Sequence, residues 1–338
     1  MPKDEQSPCG TLVRLDAALR DTDAWPADRL QAAWGLHDLF VSLTDQPPVD
    51  ATDTVGAAFD ETLGQDGRAV SPFCAALCLR DYLRTYAFAE GVTRAIQQVR
   101  ARHPGRPARV LYAGTGPFAS LAVLQIPHFS ADEVQFTLLD IHPESDTASR
   151  QVFAALRAED MVEARHVVDA IRWAAEDEGP FDVIVTEVMQ AALKNEPQVQ
   201  MTRALAPLLA SDGVLVPEEI SMDLVKVHPE TLFGETPAPL PPAIGRAMTL
   251  TVETAKGLAF ADGIAALPPL RVPDHHTCDA PLVIVTRIRT FGEIELTYGL
   301  SGLTQPIVLY DTPIPRAGDM ISLAYRIGSE PKLLVAVA

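Results

Sequence analysis

Basic residues are scarce in this 338-residue chain: 27 lysines and arginines stand against 45 aspartates and glutamates, a formal charge of −18. A broad negative field repels phosphate backbones, which argues against RNA or DNA as a partner, and it attracts small cations. Cysteine is scarcer still, with four residues at 9, 74, 78 and 278. Cys74 and Cys78 stand one helical turn apart and no second pair lies at zinc-site spacing, so plain reduced thiols are expected. His275, His276 and Cys278 share a polar stretch with Asp274 and Asp279, but no second ligand cluster accompanies them at a recognised spacing, and no metal is expected. No apolar run reaches membrane-spanning length, and the opening MPKDEQSPCG has no apolar signal core. The expectation is a soluble, cytoplasmic protein with no membrane partner. No internal repeat occurs at solenoid spacing either.

Apolar residues, by contrast, make up 47% of the chain, enough for a sizeable core. The length suits two domains of ordinary size. Leu12, Leu15 and Leu19 recur at helical spacing, as do Leu36, Leu39 and Phe40, so residues 11–45 are expected as two helices. DQPPVDATD breaks that pattern, a further helical region runs from Ser71 to Arg100, and ARHPGRPA is a linker. An alternation follows. ARVLYAG (108–114) reads as a strand, PFASLAVLQ as helical, VQFTLLD (134–140) as a strand, SRQVFAALRAE as a helix, and ARHVVDAI as carrying a short strand. FDVIVTE (181–187) is a fourth strand, VQMTRALAPLL a helix, and SDGVLVP (211–217) starts a fifth strand. Apolar strands alternating with helices predict a parallel sheet covered on both faces. After Pro217 the runs SMDLVKV, AMTLTVET, PLVIVTRIRTF, EIELTYGL, PIVLYD, DMISLAYRI and KLLVAVA predict an antiparallel sheet or barrel. HPETLFGETPAPLPPAIGR, rich in proline, is expected as a loop.

AGTGPF closes the first of the alternating strands and precedes a helix. Gly114 and Gly116 permit a tight turn and close approach of a ligand to backbone, beside helix N-terminal amides. The next strand ends in Asp140, 24 positions after Gly116, near the spacing of a carboxylate that accepts both ribose hydroxyls in a Rossmann-like fold. Each feature alone has a structural alternative, a plain turn or a helix cap; together they indicate a nucleoside site. Phe118 follows Pro117, so the third glycine of a dinucleotide fingerprint is missing, which favours S-adenosylmethionine over NAD.

With these pieces in place, residues 71–217 resemble the class I methyltransferases, and among them the protein arginine methyltransferases, with a looser likeness beyond. LRDYLRTYAF (79–88) is similar to the family's helix over the cofactor. The resemblance implies that Arg84 pairs with the carboxylate of S-adenosylmethionine and that Phe88 helps cover it. AGTGPF is similar to the glycine motif of the symmetric-dimethylating branch. LLDIHP puts Asp140 at the ribose, and VVDAIRW puts Asp169 and Ala170 near the adenine. TEVMQAALKNE (186–196) matches the family's double-glutamate loop, with Glu187 and Glu196 nine positions apart. SDGVLVP fits a strand that ends in proline and leads into a barrel. The implied fold is α/β, with a helical segment at 1–65, a Rossmann-like S-adenosylmethionine-binding domain at 66–217 and a β-barrel-like substrate domain at 218–338.

A guanidinium is planar, always charged and rich in paired N–H donors, so two carboxylates grip it and fix its plane. They offset its repulsion from a sulfonium and leave electron density on the attacking nitrogen. Glu187 and Glu196 are therefore the expected catalytic clamp. GLSGLTQP (299–306) fills the region of the family's Thr-His-Trp loop without His or Trp, Tyr112 replaces a frequent acidic residue, and no dimerisation arm is found. The N-terminal helical segment stands as a candidate homodimer contact, a lid or plain packing. These departures, with the lack of a flexible tail, make the chain look more like bacterial enzymes that methylate free L-arginine for natural-product assembly. The expected partner is then a small cation, L-arginine, whose carboxylate and amine would need partners; Arg80, Arg287, Arg289 and the N-terminal segment are the candidates, unranked. Alternatives stay open: methylation of arginine in a protein, a catalytically silent scaffold, or aminocarboxypropyl transfer, since RVLYAGTGPFASLAVL is also similar to nicotianamine synthase-type enzymes.

Overall fold

The structure, a computed structural model, describes residues 6–45, 62–173, 179–232, 239–275 and 278–337. Two helices open it, α1 (Pro8–Arg20) and α2 (Pro26–Ser42), each with proline in its first turn, where the missing N–H costs nothing. Their stripe of Leu12, Leu19, Leu36 and Phe40 is wholly buried in the main core, and Phe40 meets Phe118 at 5.6 Å between ring centroids. Packing is thus one role of this segment. A hairpin of β1 (Thr62–Leu63) and β2 (Arg68–Ala69) follows, straddling the expected 65/66 boundary. The loop expected at DQPPVDATD falls almost wholly outside the described residues.

The helical region expected from Ser71 to Arg100 is broken. Helix α3 (Pro72–Leu77) runs into a tight turn at Cys78–Arg80, and α4 (Tyr82–Arg102) starts afresh. The break is made by Asp81, whose backbone is non-helical and whose side chain accepts from Arg84 N at 3.2 Å as an N-cap.

The alternating part gives β3 (Ala108–Ala113), α5 (Ser120–Val123), β4 (Val134–Asp140), α6 (Pro143–Ala155), β5 (Val162–Val167), β6 (Phe181–Thr186), α7 (Gln198–Leu205) and β7 (Leu209–Val216). The strands form one parallel sheet in the order β5-β4-β3-β6-β7. β6 is buried at every position, as a strand covered on both faces requires. PFASLAVLQ, expected as a full helix, yields only the four residues of α5, entered through Ala119 in the left-handed region at φ 45°.

Beyond Pro217 come β8 (Glu219–Lys226), α8 (Pro229–Leu232), β9 (Gly245–Leu250), α9 (Val252–Gly257), β10 (Ile264–Arg271), β11 (Leu282–Phe291), β12 (Ile294–Leu296), β13 (Ile307–Val308), β14 (Met320–Arg326) and β15 (Lys332–Val337). They make two antiparallel sheets, β12-β11-β8-β9 with β13 added to β11, and β10-β14-β15. The run AMTLTVET is strand only to Leu250, because Thr251 caps α9. β10 was not expected, since its sequence IAALPPLR holds two prolines. Its place at the sheet edge and its register shift between Leu267 and Leu270 accommodate them.

Helix α4 links the two halves. Its Gly91 lies so close to β11 that a Cβ there would stand 2.8 Å from Thr290 Oγ1 and 2.9 Å from Thr290 Cβ. Thr290 Oγ1 in turn donates to Ala87 O at 2.8 Å. Alanine at position 91 would gain about 1 kcal/mol of helix propensity, but the overpacking costs roughly 1–3 kcal/mol. Gly91→Ala is therefore expected to lower the urea midpoint with an unchanged m-value; a raised midpoint would show that the close approach yields freely.

Candidate active site

Strand register assembles one corner of the molecule. Ala113, the last residue of β3, pairs with Thr186 of β6 on one side and Leu139 of β4 on the other. The chain winds outward from β3 through β4 and β5, then returns to β6 and β7 on the opposite side. The gap between β3 and β6 is the switch point of the sheet, where ligands bind in open α/β folds. Gly114, Asp140 and Glu187 sit at neighbouring strand ends by that register alone. A cavity of about 560 Å³ opens here, and Arg84, Phe88, Gly114, Gly116, Asp140, Asp169, Ala170, Glu187 and Glu196 all line it.

Gly114 and Gly116 both adopt positive φ, 77° and 61°. A Cβ on Gly114 would fall 2.4 Å from Val188 Cγ1, so the first turn and the double-glutamate loop interlock where only glycine fits. Asp140 shapes the same turn. Its Oδ2 accepts from Gly116 N at 2.8 Å and Thr115 Oγ1 at 3.3 Å, and its Oδ1 accepts from His142 N at 2.9 Å. Val168 N donates to Asp140 O at 2.8 Å, which brings Asp169 and buried Ala170 to the same rim. Asp169 Oδ1 accepts from Ile171 N, and its other oxygen pairs with Arg172.

The loop from Glu187 to Glu196 holds three non-glycine residues in the left-handed region: Ala192 at φ 59°, Leu193 at φ 52° and Asn195 at φ 66°. Such conformations cost about 1–3 kcal/mol each and persist only when their surroundings dictate them. The C-terminal sheets do so here. Ala192 N donates to Thr286 Oγ1 of β11 at 3.0 Å, Tyr325 Oη of β14 donates to Leu193 O at 2.6 Å, and Asn195 N donates to Pro331 O at 2.9 Å. At the loop's other end Val188 N donates to Gln198 Oε1 at 3.0 Å.

Arg84 projects from the first turn of α4 and forms an ion pair with Glu187, both side chains largely buried. Burial opposes the Arg84 charge, but the carboxylates of Glu187 and Glu196 offset that, and its pKa lies above the ordinary arginine value. Burial also raises the pKa of Glu187, and Arg84 pulls only part of the way back. Tyr112 lies beneath, its hydroxyl kept neutral by burial and by Glu187 and Asp140. The Cys78 thiol is likewise pushed up by burial and remains neutral. Asp81, besides capping α4, accepts at Oδ2 from Ser301 Oγ at 2.7 Å and Gly302 N at 2.9 Å. It thereby ties the helix that carries Arg84 to GLSGLTQP, whose Gly302, Leu303 and Gln305 line the cavity.

The hairpin β1–β2 roofs the cavity. Arg68 N donates to Asn195 O at 2.8 Å, Gln200 Nε2 donates to Asp66 O at 2.6 Å, Thr62 Oγ1 meets His142 Nε2 at 3.1 Å, and Arg172 bridges Asp66 and Asp169. Sequence reasoning missed this element, although two glycines bracketing Gln-Asp were a turn signal. It also missed Asp81 and Cys78 as parts of the site; only Asp81, as a cap before a periodic run, carried a local signal. Arg80, Arg287 and Arg289 do not line the cavity. Arg80 lies 4.9 Å over the Trp34 ring and reaches Asp38, Arg287 pairs with Glu295, and Arg289 pairs with Glu218 and Glu219. Among the described residues no cluster of three ligating side chains suits a metal ion; His276 lies outside them. No described helix is long and apolar enough to cross a membrane.

No family model matches the chain, and no curated protein matches its sequence. Solved structures do resemble its fold. The Trypanosoma brucei PRMT1 enzyme–prozyme heterotetrameric complex with AdoHcy aligns at TM-score 0.52 and 12% identity, over 78% of this chain and 92% of that one. Arabidopsis thaliana protein arginine methyltransferase 10 aligns at TM-score 0.50 and 15% identity, over 74% and 86% of the two chains. The fold is thus that of the protein arginine methyltransferases, a Rossmann-like α/β half followed by antiparallel β-sheets.

The Arg84–Glu187 pair has a pH signature. Glu187 has a folded pKa above its unfolded value, so stability is retained below the unfolded value of about 4.3 and lost as pH rises through the folded one. Without Arg84 the folded value moves further up. Arg84→Ala should cost about 3–5 kcal/mol at pH 8, as for a broken buried pair, and clearly less near pH 5. Urea titrations at the two pH values test this, and an equal loss at both would mean that Glu187 is not the group left behind.

Proposed function

We propose that the chain is an S-adenosylmethionine-dependent methyltransferase acting on the guanidinium of arginine, with free L-arginine as acceptor and Nω-methyl-L-arginine as product. The observation that carries the reading is one cavity at the sheet's switch point that joins the Asp140–glycine turn to a rigid loop bearing two carboxylates. The residues present suit the cofactor. A cavity of about 560 Å³ is the size of a small-molecule site. The glycine turn leaves backbone exposed where a Cβ would collide with Val188, and Asp140 keeps acceptor capacity for ribose hydroxyls. Asp169 and Ala170 would border the adenine, Phe88 would cover the ligand, and Arg84 would take its carboxylate while holding Glu187.

When bound, S-adenosylmethionine supplies an electrophilic methyl group. The chain's own residues do the rest. Arg84 fixes one face of Glu187, so that this carboxylate meets the acceptor in a set orientation. Glu187 and Glu196 grip the guanidinium, hold its plane and leave one nitrogen free to attack. Their negative charge also offsets the approach of two cations, an effect strengthened in a largely buried site. The roof favours a free amino acid over a protein. A Cβ on Gly67 would meet Asn195 O at 2.9 Å, so the hairpin rests on the double-glutamate loop and lines the cavity beside it.

The first test is incubation with S-adenosylmethionine and L-arginine, read by mass spectrometry. A product heavier by one CH₂, together with S-adenosylhomocysteine, supports the reading. Activity on an arginine peptide with none on the amino acid would move the acceptor to proteins, and methylthioadenosine would indicate aminocarboxypropyl transfer. Glu187→Gln is expected to abolish turnover with S-adenosylhomocysteine binding largely kept. Asp140→Ala is expected to weaken that binding by about 1–3 kcal/mol, the scale of a lost charged hydrogen bond; an unchanged Kd by calorimetry would place the ribose elsewhere.

A further inference from the structure

The cavity is crowded with carboxylates: Asp66, Asp140, Asp169, Glu187 and Glu196 all line it. Its cations are mostly occupied by them. Arg84 pairs with Glu187, Arg172 pairs with both Asp66 and Asp169, and Arg68, which also lines the cavity, is not free. Lys194 is the exception. It lines the same cavity and is half-buried, yet its ammonium has no hydrogen bond or ion pair among the described residues.

Its backbone is held fast. Lys194 lies between Leu193 and Asn195, both at positive φ and fastened to Tyr325 and Pro331. Glu196 N donates back to Lys194 O at 2.8 Å. An ammonium carried on a fixed loop at the wall of a cavity that several carboxylates line, and paired with none of them, is placed for an anion that a ligand brings. The acceptor proposed above brings one, the α-carboxylate of L-arginine, and Arg80, Arg287 and Arg289 do not line the cavity to meet it.

We propose that Lys194 binds the α-carboxylate of the acceptor and so selects guanidino compounds that carry a free carboxylate. The inference rests on the methyl-transfer reading above and deepens it. Glu187 and Glu196 take the cationic end, and Lys194, from the same loop, takes the anionic end. Decarboxylated arginine and an arginine inside a peptide both lack that anion and forfeit the contact.

The test compares L-arginine with agmatine, its decarboxylated analogue, in wild type, Lys194→Met and Lys194→Arg. Wild type is expected to prefer L-arginine by roughly 10–100-fold in kcat/KM, the worth of one charged hydrogen bond. In Lys194→Met that preference should collapse, through a raised KM for L-arginine with kcat moved much less, and Lys194→Arg should restore part of it. Calorimetry with S-adenosylhomocysteine runs alongside. An unchanged KM for L-arginine in Lys194→Met overturns the inference. So does an equal loss on both substrates, which would mark a structural role, and so does a weakened S-adenosylhomocysteine Kd, which would mean that Lys194 serves the cofactor. Wild-type turnover of agmatine and L-arginine at equal efficiency overturns it while the methyl-transfer reading stands. Turnover of no guanidine by wild type defeats that reading itself.

Discussion

Glu187 and Glu196 depend on a loop that would not keep its shape alone. Between them the chain passes through three left-handed residues, none of them glycine. The enforcement comes from hydroxyl groups and a carbonyl of the second half: Thr286, Tyr325 and Pro331. Strain of a few kcal/mol is thereby held where the chemistry needs fixed carboxylates. The antiparallel sheets therefore do more than wall off a pocket; they set the position of side chains that belong to the parallel half. The contact of Gly91 with Thr290 works in the opposite direction, seating α4, and with it Arg84 and Phe88, on β11.

Electrostatics then fixes what the site tolerates. Arg84 is enclosed by polar groups and stays charged despite burial, while Glu187 is only partly compensated. Tyr112 and Cys78, both buried beside them, are held neutral and add no competing charge. The Arg84 guanidinium is thus the internal counterion that holds Glu187 in place at the cavity wall.

The parallel sheet was readable because its strands are continuous apolar runs separated by periodic helices, and the site followed because glycine turns and strand-terminal acids carry sequence spacing of their own. Gly114, Asp140 and Glu187 converge by register, which the order of the strands implies. What escaped was of a different kind. The roof hairpin is two residues per strand, too short for any periodicity. β10 hid behind two prolines that an edge strand with a bulge can carry. Cys78 looks like a core residue in sequence and becomes part of the site only through the third dimension. Arg287 and Arg289 failed as ligand-binding candidates because outward positions on β11 pair them with Glu295, Glu218 and Glu219.

The raised pKa of Glu187 also bears on why a cation suits this cavity. A carboxylate whose ionised form is disfavoured by burial carries free energy that a matching positive charge can release. Arg84 releases part of it and is prevented from releasing all of it, since Glu196 shares its field. The residue of that imbalance is affinity for a further cation, and it is directional because the loop cannot relax toward the charge it lacks. An anionic or neutral ligand would leave the imbalance standing. The negative field of the whole chain, −18 in formal charge, acts in the same sense at longer range. Local and global electrostatics thus act in the same sense, toward a positively charged ligand.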